Sequence, residues 1–261
     1  MISFVGAGPG AADLITLRGA QRLAAADVVV WAASLVPEEL LDHCRSDVER
    51  HDSKAMTLED VVAVYEQHPG AAIVRLHSGD PTIYSAIGEQ IGWCLEHERT
   101  FEVVPGVSSA SAAAAAVGRE LTLPGVAQSV VFTRLASRTS ASMPSIEGVR
   151  AFAASGATMA VFLSAGRPEA LQEELLAVGS AYRPDTSAVI AVRVSWPDEQ
   201  LVTTTVGALA EDLRRLDRQT TVLVLVGGAL EGADAAQARR SHVYAPDYAH
   251  SFRRAAADAD G

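Results

Sequence analysis

Short apolar runs at Ile2–Val5, Val28–Trp31, Ala72–Leu76 and Phe101–Val104 alternate with longer stretches of helical periodicity, and this alternation constrains the fold more than any other feature of the chain. A less regular run lies at Val48–His51. The periodicity predicts helices over Ala12–Ala25, Pro37–His43, Leu58–Gln67, Ile83–Leu95 and Ser108–Val117. Strands of this kind, with helices in the gaps, build a parallel sheet covered by helices. The first strand runs into Gly6-Ala7-Gly8-Pro9-Gly10. A glycine turn at the end of such a strand is where nucleotides and cofactors gather. It departs from the dinucleotide fingerprint: Ala11 takes the place of the third glycine, which that pattern tolerates, but Pro9 sits inside the turn and Gly10 adds a glycine.

The second half has a different texture. Strands are predicted over Gln128–Thr133, Thr158–Leu163, Ser187–Val194, Leu201–Thr205 and Thr221–Val226, with helices over Ile146–Ala154, Pro168–Val178 and Val206–Leu216. Only the turn-like Ser195-Trp196-Pro197-Asp198-Glu199-Gln200 separates 187–194 from 201–205, so those strands form a hairpin and the sheet is mixed. The alanines of Ala112–Ala116 read as a tightly packed helix, and Pro124-Gly125 as a turn at a domain boundary. The polar, helix-poor stretch 135–145 reads as a mobile loop or lid. The expected organisation is α/β throughout: a first domain over 1–119 with a mainly parallel sheet, a second over 120–254 with a mixed sheet, and a frayed tail at 255–261.

Composition narrows the function. A net charge of −11 over 261 residues argues against nucleic acid or an anionic membrane as partner. Lys54 is the one lysine; genome composition accounts for most of that bias, although arginine forks also suit carboxylates and phosphates. Cys44 and Cys94 have no metal or redox spacing, no leader segment is read at the N-terminus, and no apolar run approaches the roughly 20 residues of a membrane helix, so a cytoplasmic protein is expected. His43, His51, His68, His77, His97, His242 and His250 show no ligand spacing, and no metal is expected. The chain has neither Gly-x-Ser-x-Gly nor a Gly-Lys-Ser/Thr phosphate loop, which sets hydrolase and kinase readings aside.

Small-residue loops recur at strand ends. Ser78-Gly79-Asp80-Pro81 follows the third strong strand, Val104-Pro105-Gly106-Val107-Ser108 the fourth, and Leu163-Ser164-Ala165-Gly166 repeats the arrangement in the second half. Asp80 can accept from a ribose hydroxyl or an ammonium, or can simply cap the following helix with Pro81 at its first position. Each loop alone reads as a cap. Taken with the glycine turn, they suggest an extended ligand bound largely by backbone groups.

Together, Val5-Gly6-Ala7-Gly8-Pro9-Gly10, Leu14-Ile15-Thr16-Leu17-Arg18-Gly19, Ser78-Gly79-Asp80-Pro81, Val104-Pro105-Gly106, Leu121-Thr122-Leu123-Pro124 and Ser195-Trp196-Pro197-Asp198-Glu199 resemble the tetrapyrrole methylase family. Its members methylate precorrins and uroporphyrinogen with S-adenosylmethionine. Ala33-Ser34-Leu35-Val36-Pro37, His77-Ser78-Gly79-Asp80-Pro81-Thr82-Ile83-Tyr84 and Tyr244-Ala245-Pro246-Asp247-Tyr248 are most similar to the members acting on carbon 11 of precorrin-4. The chain departs from the family at Ala33, where glycine is expected, and at Gly228, where many relatives carry a basic residue.

The resemblance implies a homodimer of two α/β domains with the cofactor folded in the cleft between them. It implies cofactor contacts at Pro9, Gly79, Asp80, Ser108, Ser109, Leu163, Ser164, Ala191, Val192, Thr221 and Val222, with S-adenosylhomocysteine as product. The glycine turn, with Gly8 and Gly10, then borders the substrate trough together with Ser34 and Leu35. Precorrins carry many acetate and propionate groups, so local donors must bind them despite the acidic whole; Arg18, Arg134, Arg138 and Arg193 are the candidates, ahead of Lys54 and His51. No catalytic side chain is assigned beyond Asp80 as the one candidate, because methyl transfer between two held reactants needs little acid–base chemistry. Three alternatives remain: cobalt-precorrin-4 as substrate; a nicotinamide-dependent dehydrogenase with Asp27 as its ribose acid; or a non-catalytic tetrapyrrole binder.

Overall fold

The computed structural model describes residues 1–135, 143–144, 146–218, 220–231, 241, 243, 245–246 and 248–254. Arg138, the tail 255–261, His242, Tyr244 and Asp247 lie outside the described residues, as does most of the expected lid over 135–145. The chain divides into two compact units, Met1–Ala116 with Arg193–Gln200, and Val117–Val192 with Leu201–Gly261.

Unit 1 contains β1 (Ile2–Gly6), α1 (Leu17–Ala24), β2 (Val28–Trp31), β3 (Glu49–Asp52), α2 (Leu58–Gln67), β4 (Ile73–His77), α3 (Ile87–Glu96), β5 (Phe101–Val104) and α4 (Ser109–Ala116). The strands run in the order β3-β2-β4-β1-β5, every pair parallel. The inner strands are mostly apolar on both faces because both are covered, with Ser3, Arg75 and His77 the polar residues among them. Val5, Val29, Val74 and Leu76 pack with Leu23 and Leu40 on one side, while Ile2, Phe4, Val28 and Ile73 pack with Val61 and Tyr65 on the other.

The helices differ from the periodicity at their ends. The predicted helix at Ala12–Ala25 is a 3-10 turn over Ala12–Leu14 followed by α1, because Thr16 has extended backbone (φ −70°, ψ 150°) and its hydroxyl accepts from the Gly19 amide as an N-cap. Glu38–His43 winds as a 3-10 helix. The helix predicted from Ile83 begins only at Ile87, since Tyr84 (φ 54°) and Ala86 (φ 49°) are left-handed and cannot continue a right-handed turn.

Unit 2 contains β6 (Val130–Arg134), α5 (Val149–Ala153), β7 (Thr158–Phe162), α6 (Pro168–Leu175), β8 (Ser187–Val192), β9 (Gln200–Thr205), α7 (Leu209–Arg214) and β10 (Val222–Val226), Gln200 alone counting with unit 1. The order is β6-β7-β10-β8-β9. β6 and β7 are parallel and β10 is antiparallel to both its neighbours, so the sheet is mixed as expected. Val149, Leu171, Leu175, Leu209 and Leu213 bring the helices onto Met159, Val161, Ile190 and Val224. β8 stops at Val192, two residues short of the predicted strand, because Arg193 (φ 47°) and Ser195 (φ 66°) turn left-handed. Among the described residues no helix is long and apolar enough to cross a membrane.

Candidate active site

In unit 1 the carboxyl ends of β1, β4 and β5 meet through backbone. Gly8 and Gly79 exchange amide hydrogen bonds, Gly8 N–H to Gly79 O at 3.2 Å and Gly79 N–H to Gly8 O at 2.7 Å. A Cβ on Gly6 would lie 2.5 Å from the Gly106 Cα, and one on Gly106 would lie 2.2 Å from the Gly79 carbonyl oxygen. The loops touch because these residues lack side chains. Asp80 ties the same loops: one carboxylate oxygen accepts from the Thr82 amide (2.8 Å) and hydroxyl, the other from the Gly106 amide (3.0 Å). Burial pushes its carboxyl up, but the Thr82 and Gly106 donors outweigh that and hold it below the usual carboxylate range. Ser108 caps α4, its hydroxyl accepting from the Ala110 amide at 3.3 Å, with Ser109 the first residue of the helix.

The loop Arg193–Gln200 closes over the glycine turn. Trp196 Nε1–H donates to the Pro9 carbonyl at 3.0 Å, and the Ser195 hydroxyl accepts from the Ala11 amide at 2.9 Å. A Cβ on Gly10 would lie 2.3 Å from Trp196 Cδ1. The Arg193 guanidinium stacks 3.8 Å from the indole centroid and donates through Nε to Asp198 at 2.6 Å. Glu199 accepts from the Ser195 amide at 2.6 Å. A cavity of about 660 Å³ opens here, lined by Gly10–Ala12, Pro37, Glu39, Arg193 and Ser195–Asp198.

The other unit 1 candidates lie on the same sheet edge. Arg18 is exposed in the first turn of α1; Ser34 and Leu35 are exposed in the turn after β2, where the Leu35 amide bonds back to Ala32 O. His51 is bonded to Glu49 at 2.7 Å and Lys54 to Asp52 at 3.0 Å, so both runner-up side chains are engaged. Behind the Ser-Gly-Asp-Pro loop, β4 carries a pair of buried basic groups that the periodicity does not announce. Burial, helped by the Arg75 charge, pushes His77 down to about 3, so its ring is neutral, and Nε2 has no hydrogen-bond partner among the described residues. Burial also lowers Arg75, whose Nη1 donates to Ser53 Oγ at 2.9 Å and to the Val30 carbonyl at 3.3 Å.

In unit 2 the register gathers the remaining candidates at one sheet end. Val222 pairs with Val192 and Leu223 with Ala191. Val161 pairs with Val224, the last pair of that ladder, and Leu163 follows directly after the end of β7. Arg134, buried at the end of β6, aligns with Phe162, the residue before Leu163. Leu163 (φ 52°) and Thr221 (φ 59°) are left-handed; Leu163 is 69% exposed while Ser164 beside it is buried.

Among the described residues no group of three or more His, Cys, Asp or Glu could hold a metal ion. What the loops offer instead is oriented backbone, an ionised carboxylate already bonded to three donors, and apolar side chains at strand ends. That equipment holds a ligand in place and moves no proton. Sequence reasoning singled out the segment around Trp196 but not what it touches, although the surplus glycine at Gly10 is the signal of a bulky neighbour.

The family model of the Tetrapyrrole (Corrin/Porphyrin) Methylases matches residues 1–210. The chain is 41% identical over 254 residues to a precorrin-4 C(11)-methyltransferase of Sinorhizobium sp, covering 97% of this chain and 98% of the relative. It is 38% identical over 255 residues to a cobalt-precorrin-4 C(11)-methyltransferase of Methanocaldococcus jannaschii, covering 97% and 96%. Its structure resembles the X-ray structure of a cobalamin-biosynthetic cobalt-precorrin-4 methyltransferase with a TM-score of 0.84 at 36% identity, over 88% of this chain and 96% of that one. A uroporphyrin-III C-methyltransferase from Thermus thermophilus, solved with S-adenosylhomocysteine, gives a TM-score of 0.71 at 27% identity, over 88% and 93%. The chain belongs to the tetrapyrrole methylases.

Proposed function

We infer that the protein is an S-adenosylmethionine-dependent C-methyltransferase that converts precorrin-4 to precorrin-5 by methylating carbon 11, a step of cobalamin biosynthesis. The observation that carries this reading is near end-to-end similarity to precorrin-4 C(11)-methyltransferases, at 41% identity over 97% of the chain. The loops fit the cofactor. Gly79 is left-handed (φ 66°), and a Cβ there would have Val107 O, Ser108 Cα and Ser109 N each 3.9 Å away, filling the gap that faces the start of α4. The proposed cofactor contacts are Pro9, Gly79, Asp80, Ser108 and Ser109 in unit 1 and Leu163, Ser164, Ala191, Val192, Thr221 and Val222 in unit 2.

S-adenosylmethionine supplies a methyl group on a positively charged sulfur, open to in-line displacement by a carbon nucleophile. The chain's own part is orientation. His77 is neutral and buried, and both oxygens of Asp80 are already taken, so the described loops contribute fixed geometry, which alone can be worth effective molarities of about 10⁵ M. The proposed substrate contacts are Gly8, Gly10, Arg18, Ser34, Leu35, Arg134, Arg138 and Arg193. A cytoplasmic homodimer with a tetrapyrrole as its partner, and neither nucleic acid nor membrane, completes the proposal. The cobalt-precorrin-4 relative at 38% identity gives the cobalt form standing as a second substrate.

Mass spectrometry of small molecules released from the heat-denatured protein is expected to find S-adenosylmethionine or S-adenosylhomocysteine. A nicotinamide dinucleotide in its place overturns the reading. Incubation with labelled S-adenosylmethionine and either precorrin-4 or its cobalt complex is expected to place the label on carbon 11, located by NMR of the product. Label on another carbon, or on neither macrocycle, rejects the assignment, and the relative rates decide the metal question.

A further inference from the structure

The Arg193–Gln200 loop lies across the glycine turn in a way that simple covering does not require. Trp196 makes two different contacts with one turn: its Nε1–H donates to the Pro9 carbonyl at 3.0 Å, and its Cδ1 edge occupies the place where a side chain on residue 10 would begin, 2.3 Å from a Cβ built there. Its face then serves as a platform for Arg193, 3.8 Å from the centroid, whose Nε is bonded to Asp198 at 2.6 Å. The guanidinium is fixed from two sides, by a ring face and by a carboxylate, and its side chain is only 16% exposed. Arginine held in this way is a fork of preset orientation, suited to a carboxylate arriving in one plane.

Gly10, Trp196, Arg193 and Asp198 border the same cavity of about 660 Å³, and one further carboxylate, Glu39, stands on its wall. An acidic ligand entering there meets the Arg193 fork, whose Nε is already bonded to Asp198, at one point and the repelling Glu39 carboxylate at another, which favours one register over others.

The geometry points to Trp196 as a positioning residue for the tetrapyrrole. It locks the Pro9–Gly10 backbone and the Arg193 guanidinium into one rigid unit, so that a carboxylate of the macrocycle meets a cation already aimed. Trp196 itself is neither acid nor base, and Arg193 is the group that touches the carboxylate. The inference rests on the methyltransferase reading above and adds to it the residue that sets substrate register.

The test uses Gly10→Ala, Trp196→Leu, the double variant and Trp196→Phe, with steady-state kinetics on precorrin-4 and calorimetric binding of S-adenosylhomocysteine. Gly10→Ala expels the indole and Trp196→Leu deletes it, so each is expected to raise the KM for precorrin-4 about tenfold with kcat within about twofold, the pattern of lost uniform binding, and to weaken S-adenosylhomocysteine by the smaller factor of about threefold through the released Pro9 backbone. Because both single variants remove the same arrangement, the double variant is expected to be no worse than either. Trp196→Phe keeps the platform for Arg193 while losing the hydrogen bond to Pro9, and is expected to recover most of the defect. Wild-type turnover with an unchanged KM in Trp196→Leu overturns the inference and leaves the methyltransferase reading standing. So does a double variant whose losses multiply to about a hundredfold, or an equal loss of both ligands. Absence of methyl transfer by the wild-type protein overturns the methyltransferase reading, and this inference with it.

Discussion

The glycine junction of unit 1, where the loops after β1, β4 and β5 meet, and the turns at Leu163 and Thr221 in unit 2 reach similar ends by opposite means. In unit 1 the chain removes side chains: Gly6 and Gly106 let three loops come into backbone contact, Gly106 against the Gly79 carbonyl, and Asp80 fastens the junction through the Thr82 and Gly106 amides. In unit 2 the chain keeps side chains and accepts unfavourable backbone: Leu163 and Thr221 carry φ values of 52° and 59°, and neither left-handed position is a glycine. A left-handed non-glycine residue costs roughly 1–2 kcal/mol, and such residues persist where the surrounding structure over-determines them. The first device is steric and therefore absolute. The second is a conformational tax that a single residue can repeal.

The sharpest test of that distinction is Gly106→Ala set against Gly79→Ala. At residue 106 the new Cβ meets the Gly79 carbonyl oxygen at 2.2 Å and the Gly6 Cα at 2.8 Å, both backbone, so a strand end has to move. Overpacking of this sort should cost about 3 kcal/mol, read as a lowered denaturant midpoint. At residue 79 nothing lies closer than 3.9 Å, and only the φ of 66° is at stake, so about 1–2 kcal/mol is expected. Equal losses at both positions would break the comparison, because they would mean that space is not what holds the unit 1 loops.

Next in size is Asp80→Asn. An asparagine oxygen can accept from Thr82 or from Gly106 but not from both sides, since its NH₂ then faces an amide donor; about 1–2 kcal/mol should be lost at neutral pH. The sign with pH follows from the lowered carboxyl. A group depressed in the folded state stabilises above its ordinary range, near 3.8, and loses that contribution as pH falls through the folded value. Wild-type protein should therefore lose more stability than Asp80→Asn between neutral pH and strong acid, by a small margin because the group is partly solvated. Parallel acid profiles would show that Asp80 is not the fastener of the glycine junction.

Legibility in the sequence divides between glycine and non-glycine turns, a line that runs through unit 1 as well as between the units. The helix Leu58–Gln67 is predicted to the residue from its apolar periodicity, a local signal, and the structure adds a Thr57–Asp60 capping box at its start. The parallel sheet of unit 1 and the mixed sheet of unit 2 are equally plain, and the glycines announce the close approaches of unit 1. Where left-handed residues are not glycine, the letters say nothing: Tyr84 and Ala86 delay the start of α3, and Arg193 ends β8 early. Nor can periodicity show that Trp196 sits on Pro9, a contact spanning 187 positions, or that Asp80 spends both oxygens on loop amides. Those facts arise from tertiary packing, which local sequence constrains only through the one residue type that lacks a side chain.

The smallest expected effect has the opposite sign and tests unit 2 directly. Leu163→Gly removes a left-handed leucine that is 69% exposed, so little buried surface is lost with the side chain. Relief of roughly 1–2 kcal/mol of backbone cost, less about 0.5–1 kcal/mol for the extra freedom of glycine in the unfolded chain, leaves a net stabilisation of about 0.5 kcal/mol. Chemical denaturation is expected to show that gain, while calorimetry shows weaker binding of S-adenosylhomocysteine through loss of a proposed apolar contact. A stability gain with an affinity loss is what strain kept for a ligand looks like. If Leu163→Gly instead destabilises the protein, the leucine is held by packing, and unit 2 shapes its loops by the same side-chain sterics that unit 1 avoids.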